Sequence, residues 1–391
     1  MSSAPLVSVV IPACNAEAFI EYTLESVLAQ TYQEFEIIIV DDGSHDRTVE
    51  IVQSFIDRDS RIQLFKQSNL GVAAARNAAM KHAKGEYIAP IDADDIWLPQ
   101  KLEKQVNCLE ESDHLVGLTY SWSVYLDRAG EMIGYSPFGK FGEVEGNVFT
   151  FLVFYNFLDN GSTMMFRRSC LDRIGGYNCE LKTCEDWEFY LRLAEHYQFR
   201  IVPEYLIGYR QYIGSISSNC AVMATFYESI MAEVYQRHPE LPRYIRRWAN
   251  TLFYNNLLGK SYLAEDYKAV FIWLYRILSG DSVLLLRPGI YKAVPVASFN
   301  LLLQSLTRLI WKDPDAWRRF KHGFLGSTSK RYLSTKHAVA ETDLLKLQSV
   351  QSAAKTTNQS VSNLTFWKPY DLVILKRWQF LIKTTKACAI D

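Results

Sequence analysis

The chain has 391 residues, 49% of them hydrophobic, with 42 Lys and Arg against 43 Asp and Glu for a net charge of −1. It is long enough for more than one domain and apolar enough for a sizeable core, which excludes disordered and fibrous classes, and it lacks the basic excess of a general nucleic-acid binder. Residues 1–215 hold 18 Lys and Arg against 31 Asp and Glu, whereas residues 216–391 hold 24 against 12, so an acidic part precedes a basic one.

Val7–Ile11 and Phe35–Val40 are short β-branched runs that end at polar turns, the pattern of buried strands in a parallel sheet. Between them, Ala18–Gln30 spaces Phe19, Tyr22, Val27 and Leu28 as a helix does, and Thr48–Ile56 repeats that pattern. Ile62–Phe65 reads as a third strand, Val72–Ala83 as an alanine-rich helix and Tyr87–Ile91 as a fourth strand. Alternating strands and helices with short connections predict a doubly wound α/β sheet with right-handed crossovers. Further strands are expected at Leu115–Leu126, Gly161–Phe166 and Arg200–Val202, with helices at Val148–Phe157 and Glu185–His196. From Ala221 the pattern is helical, at Met223–Gln236, Pro242–Leu258, Tyr267–Leu278 and Val296–Ile310. Gly326–Asn363 is polar and reads as a linker or tail, with a short helix at Ala340–Val350.

Seven cysteines without a CxxC pair signal neither a disulfide framework nor a zinc site, and a reduced compartment is expected. Val7–Ile11 is too short for a signal-peptide core and no basic residue precedes it.

Ligands of open α/β sheets bind at the carboxyl ends of strands. Pro12-Ala-Cys-Asn15, Asp41-Asp42-Gly43-Ser44 and Asp92-Ala-Asp94-Asp95 each follow a predicted strand, so three strand ends bring polar groups to one rim. Any one of them alone is equally a turn or a helix cap. Carboxylates spaced as Asp92 and Asp94 can converge on a hard divalent cation completed by substrate phosphate oxygens, or stand solvated at a loop. In Asn69-Leu-Gly71-Val-Ala-Ala-Ala-Arg76-Asn77, Gly71 permits a sharp turn into a helix and Arg76 lies about one turn in, where it can face a phosphate or a base. GxxxxGK[ST] and GxGxxG are both absent, which counts against an ATPase and an NAD enzyme. Glu185-Asp186 precedes a helical pattern, either as a favourable charged start or as a general base for a substrate hydroxyl.

The ordered series VSVVIPACN, Gln30–Thr48, NLGVAAARN, Gly85–Asp95, Gly175-Gly-Tyr-Asn178 and Glu185–Ala194 resembles the family 2 glycosyltransferases, inverting enzymes of the A-type fold. The resemblance runs from about Val7 to about Ser217. It implies an α/β, Rossmann-like nucleotide-diphospho-sugar transferase domain at residues 1–219. A mostly α-helical region at 220–325 and a polar linker and tail at 326–391 would follow. By resemblance, Pro12, Asn15 and Glu17 line the nucleotide pocket, Asp41 or Asp42 contacts the base, and Arg76 sits near the uridine or its phosphates. Asp92 holds the ribose, Glu185 adjoins the nucleotide sugar, Asp94 binds Mg²⁺ or Mn²⁺ bridging the diphosphate, and Asp186 is the catalytic base.

The implied activity moves a sugar from a nucleotide sugar, a UDP-sugar, to a hydroxyl of a glycan or lipid-linked glycan in polysaccharide biosynthesis. One alternative is a non-catalytic nucleotide-sugar-binding subunit of a glycan-assembly complex, which the intact Asp92, Asp94 and Asp186 oppose. Another is a phosphoryl-transfer protein, which lacks the Thr of a DxDxT loop. Two positions depart from the family: Cys14 replaces a customary aromatic, and Tyr212 stands where a His often approaches the metal. No nucleic-acid motif accompanies the basic half, and no stretch reaches the ~18 unbroken apolar residues of a membrane span. Its helices read as a soluble domain with an aromatic core, or as a basic amphipathic face against an anionic membrane. The expected location is the cytoplasm, with that face at the inner membrane surface.

Overall fold

The structure is a computed structural model that describes residues 4–136, 143–211 and 219–280, with isolated positions 295, 298 and 377. Among the described residues the chain divides into two compact units, the first holding 4–152 and 156–211 and the second holding 153–155 and 219–280. The expected helices at 296–310 and 340–350, and Tyr212 itself, lie outside the described residues.

The first unit is built on one mixed sheet. β1 (Val7–Ala13), β2 (Phe35–Asp42), β3 (Ile62–Gln67) and β4 (Tyr87–Pro90) run parallel in the order β3-β2-β1-β4. Every residue of β1 and β2 is buried, as expected for strands covered on both faces. α1 (Ile20–Leu28), α2 (Thr48–Ile56) and α3 (Val72–His82) supply the crossovers. α1 buries Ile20, Leu24 and Val27, one stripe of a helix with a 3.6-residue period.

Beyond β4 the sheet departs from the doubly wound expectation. β8 (Met164–Arg167) pairs antiparallel with β4 and with β6 (Val116–Leu126). β9 (Gln198–Arg210) runs parallel to β6, while β5 (Ile96–Trp97) and β7 (Met132–Tyr135) are short antiparallel additions. β9 has 13 residues, far longer than the expected strand at 200–202, because its pairing with β6 continues through three register shifts. The reversal at β8 brings the start of that strand to the rim where β1, β2 and β4 end. α4 (Lys101–Glu110), α5 (Phe149–Phe154), the short α6 (Leu171–Ile174) and α7 (Glu185–Ala194) complete the helices that begin in this unit.

The second unit contains α8 (Cys220–Arg237), α9 (Arg243–Leu263) and α10 (Tyr267–Gly280). Asn219 caps α8 by accepting from the Val222 amide at 3.2 Å. The aromatics of this unit pack on one another: Tyr227 stacks on Phe253 at 3.7 Å, and Trp273 Nε1 donates to Ser261 Oγ at 3.0 Å. No described helix is long and apolar enough to cross a membrane.

Candidate active site

The loop after β4 is held from behind by α1. Thr23 Oγ1 donates to the carbonyls of Ala93 and Asp95 at 3.0 and 2.9 Å, and Gln30 Nε2 donates to the Leu98 carbonyl at 2.8 Å. From the front the loop meets the turn before β8, where Asp92 N donates to Ser162 Oγ at 3.0 Å. That hydroxyl in turn donates to Asp95 Oδ2. Asp95 is fully buried and also accepts from the Arg210 amide at 3.0 Å. Burial, then the charges of Asp94 and Asp92, push its carboxyl well above the usual range. Asp95 is thus the internal anchor of the acidic loop, whereas Asp92 and Asp94 are half-buried.

The β2 carboxylates divide their work. Asp42 accepts from Gln67 Nε2, Leu70 N and Gly71 N, each at 2.8 Å, and so satisfies backbone donors where the chain turns into α3. Gly71 has φ +92°, a backbone that favours glycine. Asp41 accepts a longer bond, at 3.3 Å, from Ser44 N. Asn15 and Glu17 are exposed and stitch the loop after β1 to the loop after β2. Asn15 accepts from His45 N at 2.9 Å, and Glu17 accepts from Arg47 N at 3.0 Å. Pro12 is buried in β1 beside Val40, and exposed Cys14 accepts weakly from Asn69 Nδ2 at 3.4 Å.

Across the rim stands the start of α7. Cys184, at φ +62°, turns the chain into the helix, so Glu185 and Asp186 occupy its first turn near the positive end of its dipole. Asp186 is half-buried and accepts from the Trp187 amide at 2.7 Å. Burial, then the neighbouring Glu185 charge, raises its carboxyl to about 7, against the lowering influence of Arg76. A carboxylate poised near neutrality suits proton abstraction from a hydroxyl.

Arg76 does not point to open solvent. It is buried, donating through Nη2 to Asp92 at 2.6 Å and through Nη1 to Glu185 at 2.7 Å. The neighbouring Asn77 grips the loop before α7: its Nδ2 donates to the Tyr177 carbonyl and its Oδ1 accepts from the Tyr177 amide, both at 2.8 Å. Gly176 makes this possible, since a Cβ there would lie 2.4 Å from Asn77 Oδ1.

The family model described as glycosyl transferase family 2 matches residues 8–175. An uncharacterized glycosyltransferase of Methanocaldococcus jannaschii is 35% identical over 212 residues, covering 53% of this chain and 71% of that protein. The chain is a family 2 glycosyltransferase. The putative teichuronic acid biosynthesis glycosyltransferase TuaG of Bacillus subtilis is 46% identical over 108 residues, 27% of this chain and 43% of TuaG. The A-type fold of this glycosyltransferase is shared with the mannosyltransferase PcManGT from Pyrobaculum calidifontis, solved with GDP-Man and Mn²⁺. That similarity has a TM-score of 0.50 at 17% identity and covers 83% of this chain and 86% of that one.

In this glycosyltransferase the structure brings Arg76, Asp92, Glu185 and Asp186 together, with Asp94 on the same acidic loop. Asn15 and Glu17 lie on the loop after β1, and Asp41 lies at the end of β2. Thr23, Asn77, Ser162 and Arg210 hold these groups in place; Asn77 closes the NLGVAAARN stretch, but the holding role of all four is seen only in the long-range pairing.

Proposed function

We propose that this glycosyltransferase moves a sugar from a UDP-sugar to a hydroxyl of a glycan or lipid-linked glycan, with inversion at the anomeric carbon. The observation that carries the reading is Asp186: a half-buried carboxylate at the start of a helix, held near neutrality and facing an acidic loop. In this reading Asp186 Oδ takes the proton of the acceptor hydroxyl, whose oxygen attacks the sugar from the face opposite the leaving nucleoside diphosphate. Asp92 receives the ribose, and Asp41 reads the base while Asp42 stays engaged in shaping the turn to α3. Pro12, Asn15 and Glu17 wall the nucleotide pocket. The teichuronic acid assignment of TuaG supports a polymer of the cell envelope as the product class.

Among the described residues no group of three His, Cys, Asp or Glu is placed to hold a metal. Half-buried Asp94 is a hard oxygen donor, and Mg²⁺ or Mn²⁺ needs only one or two carboxylates when substrate phosphates complete its shell. The residues therefore fit a cation that arrives with the diphosphate, held by Asp94. Such a cation neutralises charge on the departing diphosphate. The second unit adds a surface for an acceptor at an anionic membrane: α10 exposes Ile272, Tyr275 and Leu278, with Arg276 on the same helix.

A calorimetric screen of nucleoside diphosphates and nucleotide sugars with and without Mn²⁺ tests the reading. Binding of UDP and a UDP-sugar that strengthens at least tenfold with Mn²⁺ and weakens in Asp94→Ala is expected. Equal binding of all nucleotides regardless of metal would overturn the donor and cation assignments.

A further inference from the structure

Arg76 sits at 3% exposure between two carboxylates that are far apart in the chain. Asp92 lies at the end of β4 and Glu185 at the start of α7, 109 residues along the chain from Arg76. The remaining guanidinium nitrogen, Nε, is buried without a hydrogen-bond partner, and the cation stands 5.3 Å from the centre of the Tyr177 ring. Tyr177 is itself stacked on Phe189 of α7 at 4.4 Å and clamped by Asn77, the residue after Arg76. A planar fork of donors fixes the direction of both its partners, which an ammonium on a flexible stem does not. Arg76 thus ties the loop after β4 to the first turn of α7, where Glu185 is followed directly by Asp186, while Asn77 and Tyr177 fix the chain just before that turn.

We infer that Arg76 and Glu185 form a positioning pair, which seats the first turn of α7 against the acidic loop and sets the charge around Asp186. The inference rests on the reading of Asp186 as the base, and its test is independent of turnover. The charged and titratable groups facing Asp186 are Glu185 and Tyr190 on its own helix, Arg76 on α3, Asp92 on the loop after β4, and Tyr177 on the loop before α7. Glu185 and Asp92 disfavour a second negative charge, and Arg76 favours it. With Glu185 neutralised and Arg76 kept, the balance tips toward the ionised form of Asp186. Glu185 is thus a carboxylate that pairs with Arg76 and holds its neighbour protonated until near-neutral pH.

The experiment is a pH titration of the full chain labelled with [γ-¹³C]aspartate, the Asp186 resonance being identified by its loss in Asp186→Asn. In the wild-type chain it titrates near pH 7. In Glu185→Gln, which retains an oxygen for Arg76 Nη1, its midpoint falls by about one pH unit. Glu185→Ser, a second neutral variant in which water can take the vacated place, shows the same fall. Glu185→Asp, which keeps the charge, titrates as the wild type does. Midpoints that stay near 7 in both neutral variants overturn the inference, and so does an equal fall in Glu185→Asp, since geometry alone would then be responsible. Full turnover in Asp186→Asn would remove the base assignment yet leave these midpoints readable, so the two failures are distinct.

Discussion

Replacing Asp186 by Asn separates chemistry from stability in this glycosyltransferase, because the same burial that prepares the carboxylate also weakens the fold. In the folded chain its carboxyl titrates at about 7, and in the unfolded chain near the ordinary aspartate value of about 3.9. Between those values the folded state holds a proton that the unfolded state has lost. Stability is therefore lost as pH rises from about 4 to about 7, and none of it returns above. At 1.36 kcal/mol for each pH unit, the full cost at pH 8 is about 4 kcal/mol, a ceiling for a group that keeps part of its surface open. Asparagine carries no charge to bury and still offers an oxygen to the Trp187 amide, now 2.7 Å from Asp186 Oδ1. Asp186→Asn should be more stable than the wild type at pH 8 by about 2–4 kcal/mol, raising the melting temperature by roughly 5–10 °C, with no gain at pH 4. Donor binding should stay within about twofold, while turnover falls by ~10²–10⁴. Calorimetric melts at pH 4, 6 and 8, beside rates of nucleotide-sugar consumption, read both effects. A variant that melts lower than the wild type at pH 8, or one that turns over unimpaired, would refute the reasoning.

Asp42→Ala strands two backbone amides and Gln67 at the turn into α3, and a loss of about 2–4 kcal/mol is expected by urea denaturation because nearby water rescues part of it. Gly176→Ala drives a methyl group against Asn77 and breaks the clamp on Tyr177; a cost of about 1–3 kcal/mol in the first unit, seen as a lower melting temperature, checks this. For the second unit, flotation with anionic liposomes at low salt should carry the chain upward, and Tyr275→Ser together with Leu278→Ser should leave it in the soluble fraction.

The parallel half of the sheet was legible because local signals carry it: β-branched runs ending at Asp41, Asp42 and Asp92, with Gly71 before the alanine-rich helix. The rest depends on contacts across a hundred residues. Arg76 reads locally as a phosphate or base ligand one turn into a helix, and only the fold shows it enclosed by Asp92 and Glu185. Asp95 looks like the third member of an acidic run, yet it faces inward to Ser162 and the Arg210 amide. The length of β9 was hidden as well, since Pro203 and Glu204 interrupt its apolar run while the ladder to β6 shifts register and continues. Asp41 and Asp42 are indistinguishable by type and spacing; three hydrogen bonds to one of them tell them apart.

The reversal of strand direction at β8 bears on how such a protein can be recombined. The segment from β1 to β4 is contiguous in the chain, whereas the opposed carboxylate arrives with a separate stretch that ends in α7. A chimera could in principle exchange that stretch while keeping the first four strands. Two fasteners on adjacent residues of α3 restrict the exchange. The incoming piece has to present a carboxylate to Arg76 and a glycine that lets its backbone pass Asn77. A donor sequence lacking either would join smoothly on paper and leave a buried cation without its partner at the seam.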